Sequence, residues 1–345
     1  MVFSPLDGRL KLGQYSWTPE TLKQAVRQAT EIASYQRAAD NFVQMTKLPM
    51  SKSSLERVAG KYGKRLVEQQ ANEAEATVTP PERDSEVCSL RQVPEPDSET
   101  MAVSMDGVTL NIRGEGWKEV KMVTVSAVES GVKVEQDEEK EVQLTRHSYR
   151  AGLWGAKEFA KHQWAEGCRR GLERARRIVA VSDGAVWIWA IVMMCYAPCI
   201  EIIDWWHAVE KLWAAGNSLL GQDEPQTSIW TEKLKSLLWC GQLRELLREI
   251  RRVCPRGQSL PEEVWATISY ILHNRRRMDY ARYRQAGCPV GSGSVESGCK
   301  VVVGARMKQA GMRWSRPGAQ AMLAFRSALL SERWDEVWSS LQPAS

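Results

Sequence analysis

A short apolar run in the middle of the chain constrains the fold more than any other feature. Ile178-Val179-Ala180-Val181 has no polar residue at alternate positions, so a strand made of it must be buried on both faces. Sheets with such strands are covered by helices on both sides, which predicts a mixed α/β fold. Ser182-Asp183-Gly184 follows at once, so Asp183 is predicted to lie where the strand leaves the sheet, the edge at which α/β folds bind ligands.

The residues before this run predict three more strands. Residues 103–112 alternate between apolar and polar, but the parity changes at Asp106-Gly107, which predicts a turn or a bulge at that point. Residues 117–128 and 140–149 also have strand patterns. Three strands in succession predict an antiparallel meander.

Helical patterns surround the other predicted strands. Residues 156–177 form one predicted helix that ends in a basic run. A further short strand is predicted over 199–203, followed by a helix over 208–215. Residues 216–285 are rich in leucine and arginine and lack strand alternation, so we interpret them as a helical insertion.

Three helices are predicted in the N-terminal part of the chain. The first begins at Thr18, the second near Ser34, and the third at a capping box, Ser53-Ser54-Leu55-Glu56. Two helices joined by a tight turn, the second of them basic, indicate a helix-turn-helix whose second helix enters a DNA groove. A three-helix packing unit without DNA-binding activity has the same pattern. The predicted DNA contacts of this segment are Lys52, Arg57, Lys61, Lys64 and Arg65.

Residues 71–100 differ in composition from the segments on either side. They contain four prolines and eight acidic residues against two arginines, and few apolar residues, which predicts an exposed linker. We therefore expect an all-α helix-turn-helix domain over 1–70, the linker over 71–100, a mixed α/β domain over 101–212 and 286–340, and a helical insertion over 213–285.

Positive charge is concentrated in one stretch of the chain. Between Gly241 and Arg316 there are fifteen lysine or arginine residues against six acids, although the net charge of the whole chain is only +5. Helical arginines paired with neighbouring glutamates would give the same composition. The preference for arginine over lysine favours bidentate phosphate contacts and therefore a polyanionic partner.

Neither a membrane anchor nor a zinc-binding cysteine motif is predicted. The longest apolar stretch, 185–203, is interrupted by Pro198 and Glu201, and the N-terminal residues do not resemble a secretory signal. The eight cysteines are scattered without a C-x-x-C pair, so structural zinc is not expected. Reduced cysteines fit a cytoplasmic protein, which is the location that we expect.

Three acidic residues stand at the edges of the predicted mixed α/β unit. Asp106 lies in or just after the first strand, and Asp183 lies at the end of the fourth. Glu296 lies in the first turn of a helix that Ser294 is predicted to cap and that continues through Arg306. Clustered carboxylates hold two divalent metal ions for phosphodiester cleavage, and oxygen ligands favour Mg²⁺ or Mn²⁺. Each acid alone also has a structural explanation, because Asp-Gly pairs form turns and acids are common at helix starts.

The order of these elements and several sequence blocks resemble a known family. A strand with Asp, a meander, a helix, a strand with Asp, a helical insertion and a helix with Glu follow the order of the ribonuclease-H-like fold. The chain resembles the DDE transposases of bacterial insertion sequences of the ISKra type, relatives of the Mutator-like superfamily. The resemblance spans nearly the whole chain and is carried by 103–107 (VSMDG), 117–121 (WKEVK), 181–187 (VSDGAVW), 202–208 (IIDWWHA), 291–300 (GSGSVESGCK) and the tail from 311–315 (GMRWS) up to Trp334.

The resemblance implies that Asp106, Asp183 and Glu296 form a DDE triad that binds two Mg²⁺ or Mn²⁺ ions per active site. The enzyme would hydrolyse the phosphodiester at an end of the element and direct the freed 3′-OH against target DNA. Asp204 and His207 match a [C/D]-x-x-H element of the relatives, which implies a supporting role near the site. An equal alternative is that Asp204 caps a helix and His207 packs against the sheet.

The resemblance also implies DNA partners and an oligomer. The N-terminal helices would bind the terminal inverted repeats, and the insertion would line the DNA path. A homodimer or higher oligomer on DNA and a nucleoid-associated location in the bacterial cytoplasm are expected, without membrane association. Two alternatives stay open: a domesticated, non-catalytic DNA-binding regulator, and a metal-dependent nuclease of the same fold. The further predicted DNA contacts, with Trp314 stacking on a base, are Arg275, Arg276, Lys300, Arg306, Lys308, Arg313 and Trp314.

Overall fold

One mixed five-stranded sheet with helices on both faces forms the centre of the protein. The computed structural model describes residues 17–78, 94–133, 140–222, 224–254 and 259–342. The strands are β1 (Thr100–Ile112), β2 (Gly116–Lys133), β3 (Lys140–Gly152), β4 (Arg177–Ser182) and β5 (Ile200–Ile203). Their spatial order is β3-β2-β1-β4-β5, with β2 antiparallel to β1 and β3, and with β4 and β5 parallel to β1. The mixed α/β fold and the antiparallel meander are thereby confirmed.

Helices form most of the remaining described chain. Leu172–Arg174 and Arg275–Arg277 are 3₁₀ turns, and Cys299–Gly304 is a π-helical turn. The helices are α1 (Pro19–Glu31), α2 (Tyr35–Thr46), α3 (Lys52–Val78), α4 (Ala156–Arg169), α5 (Val186–Cys195), α6 (Trp205–Leu220), α7 (Pro225–Trp239), α8 (Leu243–Val253), α9 (Glu262–Asn274), α10 (Tyr280–Gln285), α11 (Gly293–Gly298), α12 (Ala305–Met307), α13 (Arg316–Leu330) and α14 (Trp334–Ser340).

The central strand β1 is buried differently in its two halves. The predicted turn or bulge at Asp106-Gly107 is wrong, because β1 pairs with β2 in one unbroken register along its length. Both faces are covered over the first half, where Met101 and Met105 pack in the core beside β4. Over the second half, buried side chains lie on the opposite face, as Leu110 and Ile112 show. The parity of the apolar pattern changes because the covered face changes, not because the strand bends.

The N-terminal helices begin near the predicted positions, but the third is much longer. Thr18 and Ser34 cap α1 and α2 as predicted. The predicted capping box at 53–56 is wrong, because the Ser51 hydroxyl accepts the first-turn hydrogen bond from Ser54 N at 3.1 Å. The predicted linker boundary at residue 71 is also wrong, because α3 continues to Val78. The rest of the predicted linker up to residue 93 lies outside the described residues.

Two later helix boundaries also differ from the prediction. α4 ends at Arg169 rather than at residue 177, because Gly171 takes a left-handed conformation (φ 71°) that stops the helix. The basic run of 174–177 therefore leads into β4. The residue that precedes α11 is Ser292 rather than Ser294, and the helix continues beyond Gly298 as the π turn.

The N-terminal helices pack against the C-terminal helices rather than standing apart from them. Tyr62 and Leu66 of α3 share one buried cluster with Phe325 of α13 and with Trp334 and Trp338 of α14. The ring of Tyr62 lies 4.7 Å from that of Trp338, measured between centroids. The residues on both sides of the linker therefore contribute to a common core.

Gly63 allows α3 and α13 to cross closely, and this predicts an asymmetric response to alanine. A methyl group at Gly63 would overlap the side chain of Ala321, whereas Gly60, one turn earlier, has open space around it. We expect Gly63→Ala to lower the free energy of unfolding by about 1–3 kcal/mol through overpacking. The control Gly60→Ala should raise it by up to about 1 kcal/mol through helix propensity. Urea unfolding of both variants tests this, and an equal gain in stability would contradict the close crossing.

Candidate functional site

A hydrogen bond joins the middle of β1 to the carboxyl end of β4, next to two predicted site residues. The backbone N–H of Met105 donates to Ser182 Oγ at 2.9 Å. Asp106 follows Met105 within β1, and Asp183 follows Ser182, the last residue of β4. Because β1 and β4 are parallel and in this register, the two acids lie side by side where β4 ends.

The Asp106 carboxylate is held on both of its oxygens. Oδ1 accepts from Gly107 N at 2.6 Å, and Oδ2 accepts from the thiol of Cys299 at 3.6 Å. Burial is the main cause that raises the pKa of the Asp106 carboxyl above its ordinary value, and the negative charge of Asp183 raises it further. The two acids are therefore close enough to repel each other.

Asp183 stands in a sharply defined connection between β4 and α5. Its Oδ1 accepts from Ala185 N at 2.9 Å, and its backbone carbonyl accepts from Trp189 Nε1 at 2.8 Å. The next residue is Gly184. Tyr270 of α9 packs over this turn, so any side chain at position 184 would overlap the Tyr270 ring. Within the described chain, no donor occupies Asp183 Oδ2, so one carboxylate oxygen is open.

Glu296 approaches the same edge from α11. Its Oε1 accepts from Ser292 Oγ at 3.2 Å, and Oε2 has no hydrogen-bond donor among the described residues. Asp106 and Glu296 line one cavity of about 280 Å³, together with Cys299 and with the cations Lys300 and Lys308. The structure thus brings the first and third predicted acids into one cavity and places the second beside the first.

Asp204 joins the end of β5 to the segment that carries Glu296. Its side chain is fully buried and caps α6, with Oδ2 accepting from His207 N at 2.8 Å and from His207 Nδ1 at 2.9 Å. Its Oδ1 accepts from Ser292 N at 2.5 Å, and Ser292 is the residue immediately before Gly293, where α11 begins. The helix-cap interpretation of Asp204 is confirmed, and the same carboxylate also positions the start of α11.

His207 carries a positive charge at neutral pH in this arrangement. The hydrogen bond to Asp204 raises the pKa of His207 to about 9, although burial acts in the other direction. Burial tends to raise the pKa of Asp204, but hydrogen bonds from His207 and Ser292 hold it below its ordinary value. Asp183 also raises the pKa of His207, which places the imidazolium near the predicted acids.

One ligand atom from each of Asp204, His207 and Glu296 lies within 4.8 Å of the other two, a spacing that would suit a metal ion. In this structure the three side chains belong to a hydrogen-bonded group, in which both oxygens of Asp204 accept N–H donors and Ser292 connects Asp204 to Glu296. The group therefore orients Glu296 and holds a cation in the form of His207.

Sequence reasoning missed Ser182, Ser292 and Cys299, whose side chains orient or connect the acids. Cys299 follows Glu296 by three residues on the same helix, so its spacing alone would have placed both on one face. Ser182 and Ser292 could not be found in this way, because each contacts a residue far away in the chain.

Two of the predicted DNA contacts are wrong because the side chains are buried. The guanidinium of Arg306 donates to Ala29 O at 2.9 Å and to Ala33 O at 3.0 Å, and only 1% of the residue is exposed. The indole of Trp314 donates to Met307 O at 3.1 Å inside the same core, so it cannot stack on a base. The other predicted contacts are exposed: Lys52, Arg57, Lys61, Lys64, Arg65, Arg275, Arg276, Lys300, Lys308 and Arg313.

No model of a known protein family matches this chain, and no curated protein is similar to it in sequence. Among the described residues, no helix combines the length and the apolar character that crossing a membrane requires. The site is therefore interpreted from its own geometry.

The Asp204–His207 pair predicts that stability falls at alkaline pH. A pKa of about 9 in the folded state, above about 6.5 in the unfolded chain, gives stability that is complete below pH 6.5 and is lost as the pH rises through 9. Since 35% of the imidazole is exposed and screened by solvent, we expect a loss on the order of 1 kcal/mol.

Urea unfolding between pH 6 and 9.5 measures this loss. We expect His207→Gln to flatten the pH dependence, whereas the control His273→Gln, at an exposed position on α9, should leave it unchanged. The same slope in His207→Gln and in the unmodified protein would show that the pair does not stabilise the fold.

Proposed function

We propose that the protein is a DDE-type DNA transposase of the ribonuclease-H-like fold. It would bind the terminal inverted repeats of an insertion sequence, hydrolyse the phosphodiester at each end and join the resulting 3′-OH to target DNA. The observation that carries this proposal is the convergence of Asp106, Asp183 and Glu296 at one edge of the sheet. Among the described residues, none of the three carboxylates forms an ion pair, although ion pairs are common elsewhere on the protein.

The sheet supports the proposed fold family. A meander of three antiparallel strands continues into two strands parallel to the first, in the order β3-β2-β1-β4-β5. This is the arrangement that the ribonuclease-H-like fold requires, with one acid in β1, a second directly after β4 and a third on a later helix. The described polypeptide between β5 and α11 consists of helices and the loops that connect them, without a strand, as the proposed helical insertion requires.

The donor set fits divalent metal ions. Burial is the main cause of the raised pKa of Asp106 and the charge of Asp183 adds to it, so a cation bound between the carboxylates would offset both effects. Asp183 Oδ2 and Glu296 Oε2 are free of hydrogen-bond donors in the described chain, and hard oxygen ligands with open positions suit Mg²⁺ or Mn²⁺. Two such ions would activate the attacking oxygen and stabilise the leaving oxygen of the phosphodiester.

The chain's own contribution is to orient the acids and to supply positive charge. Gly107 N and Cys299 fix the rotation of the Asp106 carboxylate, and Ser292 Oγ fixes that of Glu296. The protonated His207 would attract the negative charge of a phosphate that enters the site. Lys300 and Lys308, which line the cavity with Asp106, lie where a bound DNA strand would reach them.

The proposal predicts metal-dependent cleavage that needs Asp183. A labelled DNA that carries the element's own end is incubated with Mg²⁺ and with the unmodified protein, Asp183→Asn or the control Glu232→Gln. We expect Asp183→Asn to lower end nicking by more than about 100-fold, because loss of a direct ligand exceeds the 10–100-fold effect of outer-shell partners. Glu232 lies on the exposed side of α7, paired with Lys235, and its variant should cleave normally.

The products of the same reaction distinguish the alternatives. Joining of the cleaved 3′ end to a second DNA supports transposase activity, whereas nicking without joining would favour a metal-dependent nuclease. Binding without cleavage by the unmodified protein, under conditions that allow the ends to pair, would favour a non-catalytic regulator.

The exposed face of α3 is proposed to bind the DNA ends, and the salt dependence of the DNA-binding affinity tests this. We expect Lys61→Gln/Lys64→Gln to weaken binding and to lower the slope of log affinity against log salt concentration by about 2. The control Arg174→Gln/Arg176→Gln removes the same charge near the start of β4, at the opposite end of that strand from Asp183. Equal losses in both variants would show that α3 is not the contact surface.

A further inference from the structure

A second cavity, of about 370 Å³, combines indole rings with cations. Trp154 and Trp187 line it together with Lys118, Lys121 and Arg316. Among the described residues that line it, Glu119 is the only acid, against three cations. Such a cavity suits a ligand that has both a planar ring and negative charge.

The cations are not equally available to a ligand. Lys121 is almost fully buried, with its ammonium 4.3 Å from the centre of the Trp187 ring, and it pairs with Glu119. Arg316 is held by Glu115, with Nε 3.0 Å from Oε1. Lys118 is half-buried and forms no ion pair with any residue that the structure describes. It is therefore the cation that an incoming anion would meet at the smallest electrostatic cost.

The aromatic lining is held in place by its neighbours. The Trp154 ring stacks on His162, with centroids 3.9 Å apart and planes 12° from parallel, and it also packs against Gly152. Trp187 is held edge-on against the buried ring of Phe159 at 5.6 Å. Fixed indoles of this kind give base stacking without a large loss of side-chain entropy.

Two residues that line the cavity are connected through the backbone to predicted site residues. Lys121 of β2 pairs directly with Gly107, the residue after Asp106. Since side chains alternate along a strand, Lys121 lies on the opposite face of the sheet from Met122, the residue that pairs with Asp106. Trp187 stands in the first turn of α5, four residues after Asp183. Asp183 leads directly into α5, so a DNA strand bound at Asp183 would pass the first turn of this helix, where Trp187 lies.

We propose that this cavity binds one unpaired nucleotide of the DNA strand on which the acids act. The base would lie against Trp154 and Trp187, and the phosphate would contact Lys118. The inference rests on the proposed function, because DNA at the acids supplies the strand. A planar base explains the paired indoles, and the phosphate explains the surplus of positive charge; a purely apolar ligand or a simple anion would use only half of the lining.

The nucleotide can be tested without cleavage by ¹⁹F NMR of the full chain labelled with 5-fluorotryptophan. Trp154→Phe and Trp187→Phe assign their resonances, and the probe is a 5′-phosphorylated thymidine dinucleotide without divalent metal. We expect the Trp154 and Trp187 resonances to shift in a saturable manner. Trp265, 62% exposed on α9, should not respond. Lys118→Glu should raise the dissociation constant about 10-fold or more, since it reverses a charge that contacts phosphate, whereas the control Lys233→Glu on α7 should not.

The place of the nucleotide in the DNA complex is tested with 2-aminopurine next to the cleaved phosphate. We expect its fluorescence to rise when the unmodified protein binds the element's end, and to rise far less with Trp187→Ala or with Lys118→Glu, which keeps both indoles. Resonances of Trp154 and Trp187 that stay fixed, or an equal rise of fluorescence in all three proteins, would overturn the proposal. If end cleavage persists in those cases, the proposed function is retained and only the nucleotide site is contradicted. Saturable dinucleotide binding without any end cleavage would support the nucleotide site but contradict the proposed function.

Discussion

The rest of the site depends on the hydrogen bonds that the carboxylate of Asp204 accepts. It is buried, and it accepts hydrogen bonds from the backbone of His207, from the imidazole of His207 and from the backbone of Ser292. These bonds join β5 and α6 to the segment that opens α11, across a sequence separation of 88 residues. Together with the hydrogen bond from Trp205 N to Val290 O at 2.9 Å, they position the start of α11, which carries Glu296, against the end of the sheet. A buried carboxylate without its donors would also be strongly unfavourable.

Electrostatic repulsion at the sheet edge gives the site its chemical character. Asp106 lies within β1 and Asp183 directly follows the parallel strand β4, and the Met105–Ser182 hydrogen bond joins the two strands at this level. The fold therefore brings two like charges close together. The protonated His207 offsets part of this charge but is itself bound to Asp204. A site that concentrates negative charge and leaves carboxylate oxygens open is suited to divalent cations, which is why the proposed chemistry is metal-dependent phosphodiester cleavage.

Two buried arginines connect this site with the N-terminal helices. Arg306, just after the π turn, donates to the carbonyls of Ala29 and Ala33 at the end of α1. Arg326 of α13 donates to Thr30 O at 3.1 Å and to Val302 O at 3.3 Å. The carbonyls at a helix C-terminus lack intrahelical partners, so these guanidinium groups satisfy them and fix α1 to the chain that follows Glu296. A DNA end held by α3 would therefore be positioned relative to the acids by buried hydrogen bonds.

The sequence by itself determined the elements whose signals are local. The apolar run before Asp183 and the caps Thr18 and Ser34 predicted a strand and two helices correctly, because burial on two faces and helix capping depend on neighbouring residues. Local position also made Asp106, Asp183 and Glu296 candidate site residues. The sequence placed Asp106 in or just after a strand, Asp183 at the end of a strand and Glu296 at the start of a helix. The resemblance to DDE transposases gave these acids a role that the residues alone did not.

Only the tertiary structure decided the features that depend on distant contacts. The change of parity at Asp106 indicated a turn or a bulge, but β1 pairs with β2 without a break. The parity changes because the two halves of β1 bury side chains on different faces of the sheet. Arg306 and Trp314 are residue types that often contact DNA, yet packing in the interior buries both of them. Arg306 is buried where α1 packs against the C-terminal part of the chain. Asp204 had the local signal of a helix cap, but its bond to Ser292 depends on how the chain returns after the helical insertion. Local patterns specify which side chains are available, whereas the folded chain decides which of them meet.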